Sequence, residues 1–435
     1  MYIIRMLRSA AMKRAIDGRR LMYQQALDPE DRLAWQLAAF NREWGVIRRT
    51  VPFYRELADA KRLGEAFESW PHVISALPVL SRGMVQEHKS RLHSEARPGQ
   101  WQRTTGGSSA SPVQLPAWNS EIAATSPDTW MARGWYGVRV HDRMFLLWGQ
   151  SHLLGTGFRG RIRGWDRKVR DSLLGYCRHS AYDLSEEGLR KGGERLIRFR
   201  PSYILGYSVA LDLFARANLD RAEAFRALRL KAVIGAAEGF PRPDSAGMIS
   251  GLFGAPLGME YGSVETNLIG HTTPKGPYNV FWRTYFVEAT DDGPNGGRIV
   301  RVTSLFPRCT PLVRYELGDE VELLEGDDGN GITRFARVGG RCNTFLLLQD
   351  GSRVHSEAIT HCVRACPEIQ SYQAQQQGSA ITICYTAPAP LPAATAEAIR
   401  GRLAKIHPLL SAARIEHVRM LKQTVSGKTP MILRT

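Results

Sequence analysis

The run Arg103-Thr104-Thr105-Gly106-Gly107-Ser108-Ser109-Ala110-Ser111-Pro112 sets two glycines among short hydroxyl side chains. With no large side chain in the way, the backbone N–H groups and hydroxyls of Thr105, Gly106, Gly107, Ser108 and Ser109 can wrap a phosphate. The same composition also makes a flexible turn. Four further segments follow in order: Tyr261-Gly262-Ser263-Val264-Glu265, Arg314-Tyr315-Glu316-Leu317-Gly318-Asp319, Gly340-Arg341 and Ser426-Gly427-Lys428. A carboxylate such as Glu265 is the hard oxygen ligand that Mg²⁺ takes; the alternative is a solvated glutamate on a turn. Asp319 offers two acceptor oxygens to a pair of neighbouring hydroxyls, or is a turn aspartate after Gly318. Arg314 either reaches a phosphate or braces its own loop. Lys428 either carries a cation to an anionic centre or is an ordinary tail lysine. No Ser-His-Asp order and no paired-carboxylate motif points to a hydrolase.

In this order the segments resemble the adenylate-forming ligase superfamily, and within it the phenylacetate–CoA ligase-like branch. Thr105 to Pro112 lies over the family's Thr-Ser-Gly-Ser/Thr-Thr-Gly-x-Pro loop, with Ala110 at the last glycine and Ser111 where many relatives carry lysine. Tyr261-Gly262-x-x-Glu265 lies over Tyr-Gly-x-Thr-Glu, with Val264 at the threonine, and Arg-Tyr-x-x-Gly-Asp is intact at 314–319. Pro52-Phe53-Tyr54, Leu77 to Leu80, Pro201 to Tyr207 and Gly235 to Glu238 extend the likeness over nearly the whole chain.

The resemblance implies activation of a carboxylic acid with ATP and Mg²⁺ as an acyl-adenylate, then transfer of the acyl group. CoA is the first expectation for the acceptor, and an amine in natural-product or polysaccharide synthesis the alternative. A degenerate, non-catalytic member is the third reading. By the same resemblance the 105–109 loop holds pyrophosphate, and Tyr261 lies against adenine. Asp319 binds the ribose, and Glu265 holds Mg²⁺ and acts in catalysis. Glu238, Gly262 and Arg341 join the nucleotide set. Asn343 stands at a hinge, and Lys428 is the mobile catalytic lysine. Trp148, Gln150, His152, Ala236 and Asn267 fall near the acyl pocket. Some relatives carry Cys/His zinc ligands after the Tyr-Gly motif; here Thr266–Pro274 holds His271 and no cysteine.

The elements that must position these residues are legible in outline. The chain of 435 residues is 43% hydrophobic and 23% charged, enough for a large core in two or three domains. The net charge is +16, and ten of the 58 basic residues are lysine, the rest arginine. That excess suits an anionic partner or reflects codon usage. The densest patch, Arg159 to Arg170, mixes arginine with Trp165, yet no nucleic-acid motif accompanies it. No apolar run is long enough to span a membrane. The first residues lack a signal peptide's continuous apolar core, so a cytosolic protein is expected. The six cysteines form no CxxC pair; His361, Cys362 and Cys366 share a helical face, as zinc ligands or as buried thiols.

Residues 1 to about 70 read as helical, as do Ser120–Tyr136, capped at Asn119 or Ser120, and Ala246–Phe253, stopped by Gly254. Arg143–Trp148 and Leu230–Gly235 read as buried strands of an α/β sheet. From 280 to 335, short runs between Asp/Gly turns read as antiparallel strands with a small distorted barrel. Beyond 341 come a helix near Ser356–Cys366, a strand at Ala380–Thr386 and a helix at Ala393–Ile406. The expected fold is thus α/β: a large N-terminal ATP- and acyl-binding domain over 1–340, and a small mobile α+β lid over 341–435.

Overall fold

Apolar pentads such as Met144–Trp148 and Ala232–Ala236 must be covered on both faces, and they lie at the centre of the molecule. The structure is a computed structural model describing residues 2–25, 27–104, 114–148, 157–181, 186–237, 239–240, 242, 244–291, 297–341, 345–366, 368–422 and 431–434. Its central sheet has eight strands, in the order Arg334–Phe335, Tyr278–Val280, Asn267–Thr272, Leu257–Ser263, Ala232–Ala236, Tyr203–Tyr207, Met144–Trp148, Tyr176–Ser180. The last five are parallel, and the pairings before Leu257–Ser263 are antiparallel.

Alternation along each parallel strand feeds two cores. Phe145, Leu147, Ile204 and Val233 face Phe214 and Phe253, whereas Met144, Leu146, Leu205 and Ile234 share a cluster with Trp130. The helix Ser245–Phe253 ends where expected, because Gly254 at φ +59° takes up the left-handed cap. The helix expected at 120–136 runs Asn119–Gly134, and its cap is Trp118 rather than Asn119 or Ser120. The reason is Glu121, whose carboxylate reaches back to accept from the Trp118 backbone N–H at 2.9 Å.

The 280–335 region forms a four-stranded antiparallel sheet, ordered Tyr285–Thr290, Arg298–Ser304, Tyr315–Glu322, Arg337–Arg341. The helices Tyr2–Gln24, Pro29–Thr50 and Pro52–Lys61 make up the N-terminal part, and Phe40, Trp44, Tyr54 and Trp70 pack with Phe286 under this sheet. The strands Trp101–Thr104 and Gln114–Ala117 pair antiparallel with Thr104 opposite Gln114, so the Gly/Ser stretch joins the two arms of a hairpin.

Residues 345–434 build a sheet of their own, ordered Arg414–His417, Ala380–Thr386, Ser371–Gln377, Ile432–Arg434, with the helices Ser356–Arg364 and Ala393–Ile406. Cys362 and Cys366 are buried in its apolar core. This unit packs on the helix Ser208–Arg216 beside the central sheet, and Arg242, just before the helix Ser245–Phe253, donates its Nε to the Ile406 carbonyl at 2.9 Å.

Candidate active site

Trp148, Tyr207 and Ala236 end three adjacent parallel strands, and Tyr261 lies near the end of the next one. The carboxyl edge of a parallel sheet, at the point where pairing changes direction, is where open α/β sheets take ligands. Trp148 and Tyr207 bring their rings to 4.2 Å between centroids, tilted by 40°. Ala237, directly after its strand, holds φ +74°, a strained backbone for a residue with a Cβ.

Tyr261 and Gly262 belong to the strand Leu257–Ser263 itself, and only Val264–Thr266 form the turn. Gly262 is required there, since a Cβ would stand 2.1 Å from the Asn267 carbonyl oxygen. Asn267, at φ +65°, closes the turn. Its side chain donates to Thr125 Oγ1 at 3.0 Å and accepts from Arg103 Nη1 at 2.7 Å.

Two contacts tie the strand Leu257–Ser263 and its turn to the strand Tyr315–Glu322. Tyr261 donates its hydroxyl to Asp319 Oδ2 at 3.1 Å, and Tyr315 donates to Glu265 Oε1 at 3.1 Å. Tyr261 is itself fixed edge-on against Tyr278 and Phe335. Glu265 is only 4% exposed. A single carboxylate suits Mg²⁺ where phosphate oxygens complete the coordination, so the residues present fit that ion in the company of a nucleotide. Asp319 is half-buried and lies opposite Arg341 in backbone register.

Arg314 takes the bracing role of its two readings. Its guanidinium is buried against Glu288 and donates to the Ile74 and Leu77 carbonyls at 2.6 and 2.8 Å. It therefore ties the strand to the N-terminal helices, and the reading as a phosphate contact is set aside. His271 is buried beside Glu260, which accepts from Arg133 Nε at 2.7 Å. Burial holds the His271 pKa below its ordinary value, so the imidazole is neutral and serves the sheet.

A buried ionic knot ties the strand Trp101–Thr104 to the helix Asn119–Gly134. Arg103 Nη2 meets Glu121 Oε2 at 2.9 Å, and both side chains are almost wholly buried. Glu121 Oε1 accepts from the backbone N–H of Cys309 at 2.9 Å, and Arg308 lies 3.7 Å from Glu121 Oε2. Arg308 also donates to the Glu265 carbonyl. One knot therefore anchors the strand leading into the Gly/Ser stretch and the turn bearing Glu265. The only sequence signal was an arginine three residues before the glycines. The neighbouring Cys309 thiol is pushed up to about 11 by burial and by Glu121, so it stays protonated at neutral pH and is no nucleophile.

Thr105, Gly106, Gly107, Ser108, Ser109, Gln150, His152, Glu238, Asn343 and Lys428 lie outside the described residues, and of Arg341 only the backbone is described.

No family model matches the chain. Among curated proteins, Protein CapK of Staphylococcus aureus is 25% identical over 190 residues, 42% of this chain and 41% of CapK. The chain thus spans about two fifths of that relative's length. Among solved structures, 2-hydroxyisobutyryl-CoA ligase in complex with 2-HIB-AMP and CoA in the thioesterification state aligns at a TM-score of 0.61 and 14% identity, over 94% of this chain and 91% of that one. The same ligase in its postadenylation state with 2-HIB-AMP aligns at 0.59 and 13% identity, over 94% and 90%. The parallel sheet, the antiparallel sheet beside it and the small C-terminal sheet together make the same fold as the solved 2-hydroxyisobutyryl-CoA ligase.

Proposed function

We propose that the chain joins a carboxylic acid to ATP as an acyl-adenylate and passes the acyl group to a second substrate, with CoA as the favoured acceptor. The observation that carries this reading is the crossed pair of contacts, Tyr261 to Asp319 and Tyr315 to Glu265. They bring two segments far apart in sequence to one edge of the sheet, with the side chains that a nucleotide and its metal need.

In this reading the Tyr261 ring flanks adenine, and Asp319 accepts from the ribose hydroxyls. Glu265 would hold Mg²⁺, which supplies charge neutralisation at the phosphates when bound. The 105–109 stretch would cradle pyrophosphate. Trp148, Ala236 and Asn267 would bound the acyl pocket, Ala236 and Trp148 from the ends of their strands. Residues 341–435 would form a lid turning about Asn343 and bringing Lys428 to the α-phosphate. The separate C-terminal sheet supports that division.

An amine acceptor is the second reading, favoured by the loop's departures at Ala110 and Ser111, which suit a specialised branch. The test is ATP–pyrophosphate exchange over a panel of carboxylic acids, followed by acceptor trials with CoA and with amines. Exchange that depends on a particular acid supports the ligase. No exchange with any acid, alongside unimpaired ATP binding, supports a non-catalytic binding protein instead.

A further inference from the structure

Large hydrophobic side chains exposed to solvent are concentrated on one side of the molecule. Of the sixteen among the described residues, ten lie on the helices Tyr2–Gln24, Asn119–Gly134 and Gly157–Leu174, and this crowding marks a surface rather than scattered exposure. The N-terminal helix packs beside both of the others.

One face of that helix is fixed to the body. Arg8 donates to the Tyr176 hydroxyl at 2.9 Å, Arg19 donates to the Ala124 carbonyl at 2.8 Å, and Met12 and Ile16 pack on the core. The opposite face carries Ile3, Leu7 and Leu21 at helical spacing, with Ile3 72% and Leu7 65% exposed. On the neighbouring helix Trp165 is 69% exposed, next to Lys168 and Arg170.

The charge of this side selects the occupant. Among the described side chains of the helices Tyr2–Gln24 and Gly157–Leu174, Lys13, Arg14, Arg20, Lys168 and Arg170 are exposed cations and Asp166 is the one exposed carboxylate. Two copies meeting here would set these cations against one another, whereas anionic headgroups complement them. Nucleic acid would satisfy the charge but leave Ile3, Leu7 and Leu21 without a role, since bases are held by aromatic stacking. Aliphatic side chains with a tryptophan and a basic fringe suit the boundary between headgroups and acyl chains. No helix among the described residues is long and apolar enough to cross a membrane, so the contact would lie on the surface.

We infer that the face formed by the N-terminal helix and the helix Gly157–Leu174 docks the protein on an anionic phospholipid surface. The experiment is co-sedimentation of the full chain with vesicles of phosphatidylcholine alone and of phosphatidylcholine with phosphatidylglycerol, at low and high salt. Binding is expected only to the mixed vesicles and should weaken with salt. The triple variants Ile3→Ser/Leu7→Ser/Trp165→Ser and Arg14→Glu/Lys168→Glu/Arg170→Glu should each lower partitioning by about tenfold or more. Circular dichroism and melting curves verify that both variants fold; if either does not, the wild-type comparison of the two vesicle types decides alone. Absence of binding to the mixed vesicles overturns the inference. So does equal binding to both vesicle types, binding to duplex DNA in place of vesicles, or a dimer abolished by the serine variant without vesicle binding.

Discussion

Tyr261 and Asp319, 58 residues apart, meet through a hydrogen bond of 3.1 Å that joins the central parallel sheet to the antiparallel sheet beside it. The phenol orients a carboxylate that stays half-open to solvent. An aspartate held this way has less orientational freedom left to lose than one without the phenol beside it. The bond lies beside the parallel contact between Tyr315 and Glu265, so a shift of one strand against the other disturbs both carboxylates together.

Asp319→Ala is expected to raise the KM for ATP far more than that for the acid. A charge-assisted hydrogen bond is worth about 1.5–3 kcal/mol, so the rise should be roughly tenfold to a hundredfold. Tyr261→Phe removes only the orienting bond and should cost less, about 1 kcal/mol. Calorimetric ATP affinities for both variants check the ranking; unaltered binding by Asp319→Ala would reduce this residue to a turn aspartate.

Arg103→Met should destabilise the fold by about 3–5 kcal/mol, because it strands a buried Glu121 whose nearest cation is then Arg308 at 3.7 Å. Glu121→Gln keeps the shape, and its amide oxygen can still accept from the Trp118 and Cys309 N–H groups, so it should cost less. Urea unfolding of the two variants measures the difference. Equal and small losses would mean that the knot adds nothing beyond its packing.

The strands Met144–Trp148 and Ala232–Ala236 were legible because burial on both faces leaves an uninterrupted apolar run. The helix Ala393–Ile406 was legible because the prolines at 388, 390 and 392 stop just before an alanine-rich run. The Tyr261 and Arg314 motifs marked two segments that the fold brings together, but not the contacts between them. Arg314 allowed two readings because its partners, Glu288 and the carbonyls of Ile74 and Leu77, come from distant segments. In the sequence Arg103 stands beside a Gly/Ser run and Glu121 two residues after Asn119. Only tertiary burial makes them an ion pair, and burial of a charged side chain leaves no local signature. The helix Gly157–Leu174 read as a basic patch, since its three glycines and many arginines obscure the helical period.

Lys428→Ala is expected to slow acyl-adenylate formation by about 3–4 kcal/mol, two to three orders of magnitude, with the melting temperature unchanged. The cation would act on charge building at the α-phosphate, so the loss should fall on kcat for adenylation rather than on KM for ATP. Pyrophosphate exchange reads that step, and single-turnover transfer from a supplied acyl-adenylate reads the second. An undiminished exchange rate would remove Lys428 from the mechanism.

Asp128 gives the stability a pH dependence of defined sign. Its carboxylate is buried on the helix Asn119–Gly134, accepts from Thr284 Oγ1 at 2.6 Å and faces Arg19 at 3.2 Å. Burial outweighs the Arg19 charge and the Thr284 and Tyr23 bonds, raising the pKa from 3.8 to about 6. The native state therefore holds this proton more tightly than the unfolded chain. The stabilisation is fully present below about pH 4 and is lost as pH rises through about 6, amounting to roughly 3 kcal/mol. Asp128→Asn keeps an acceptor for Thr284 but cannot titrate. Its unfolding free energy, measured by urea at intervals from about pH 4 to 7, should lack that downward component while the wild type shows it. The comparison is of slopes, because the loss of the Arg19 pair offsets the absolute values. Parallel profiles for the two proteins would show that Asp128 stays ionised throughout, with Arg19 holding its charge.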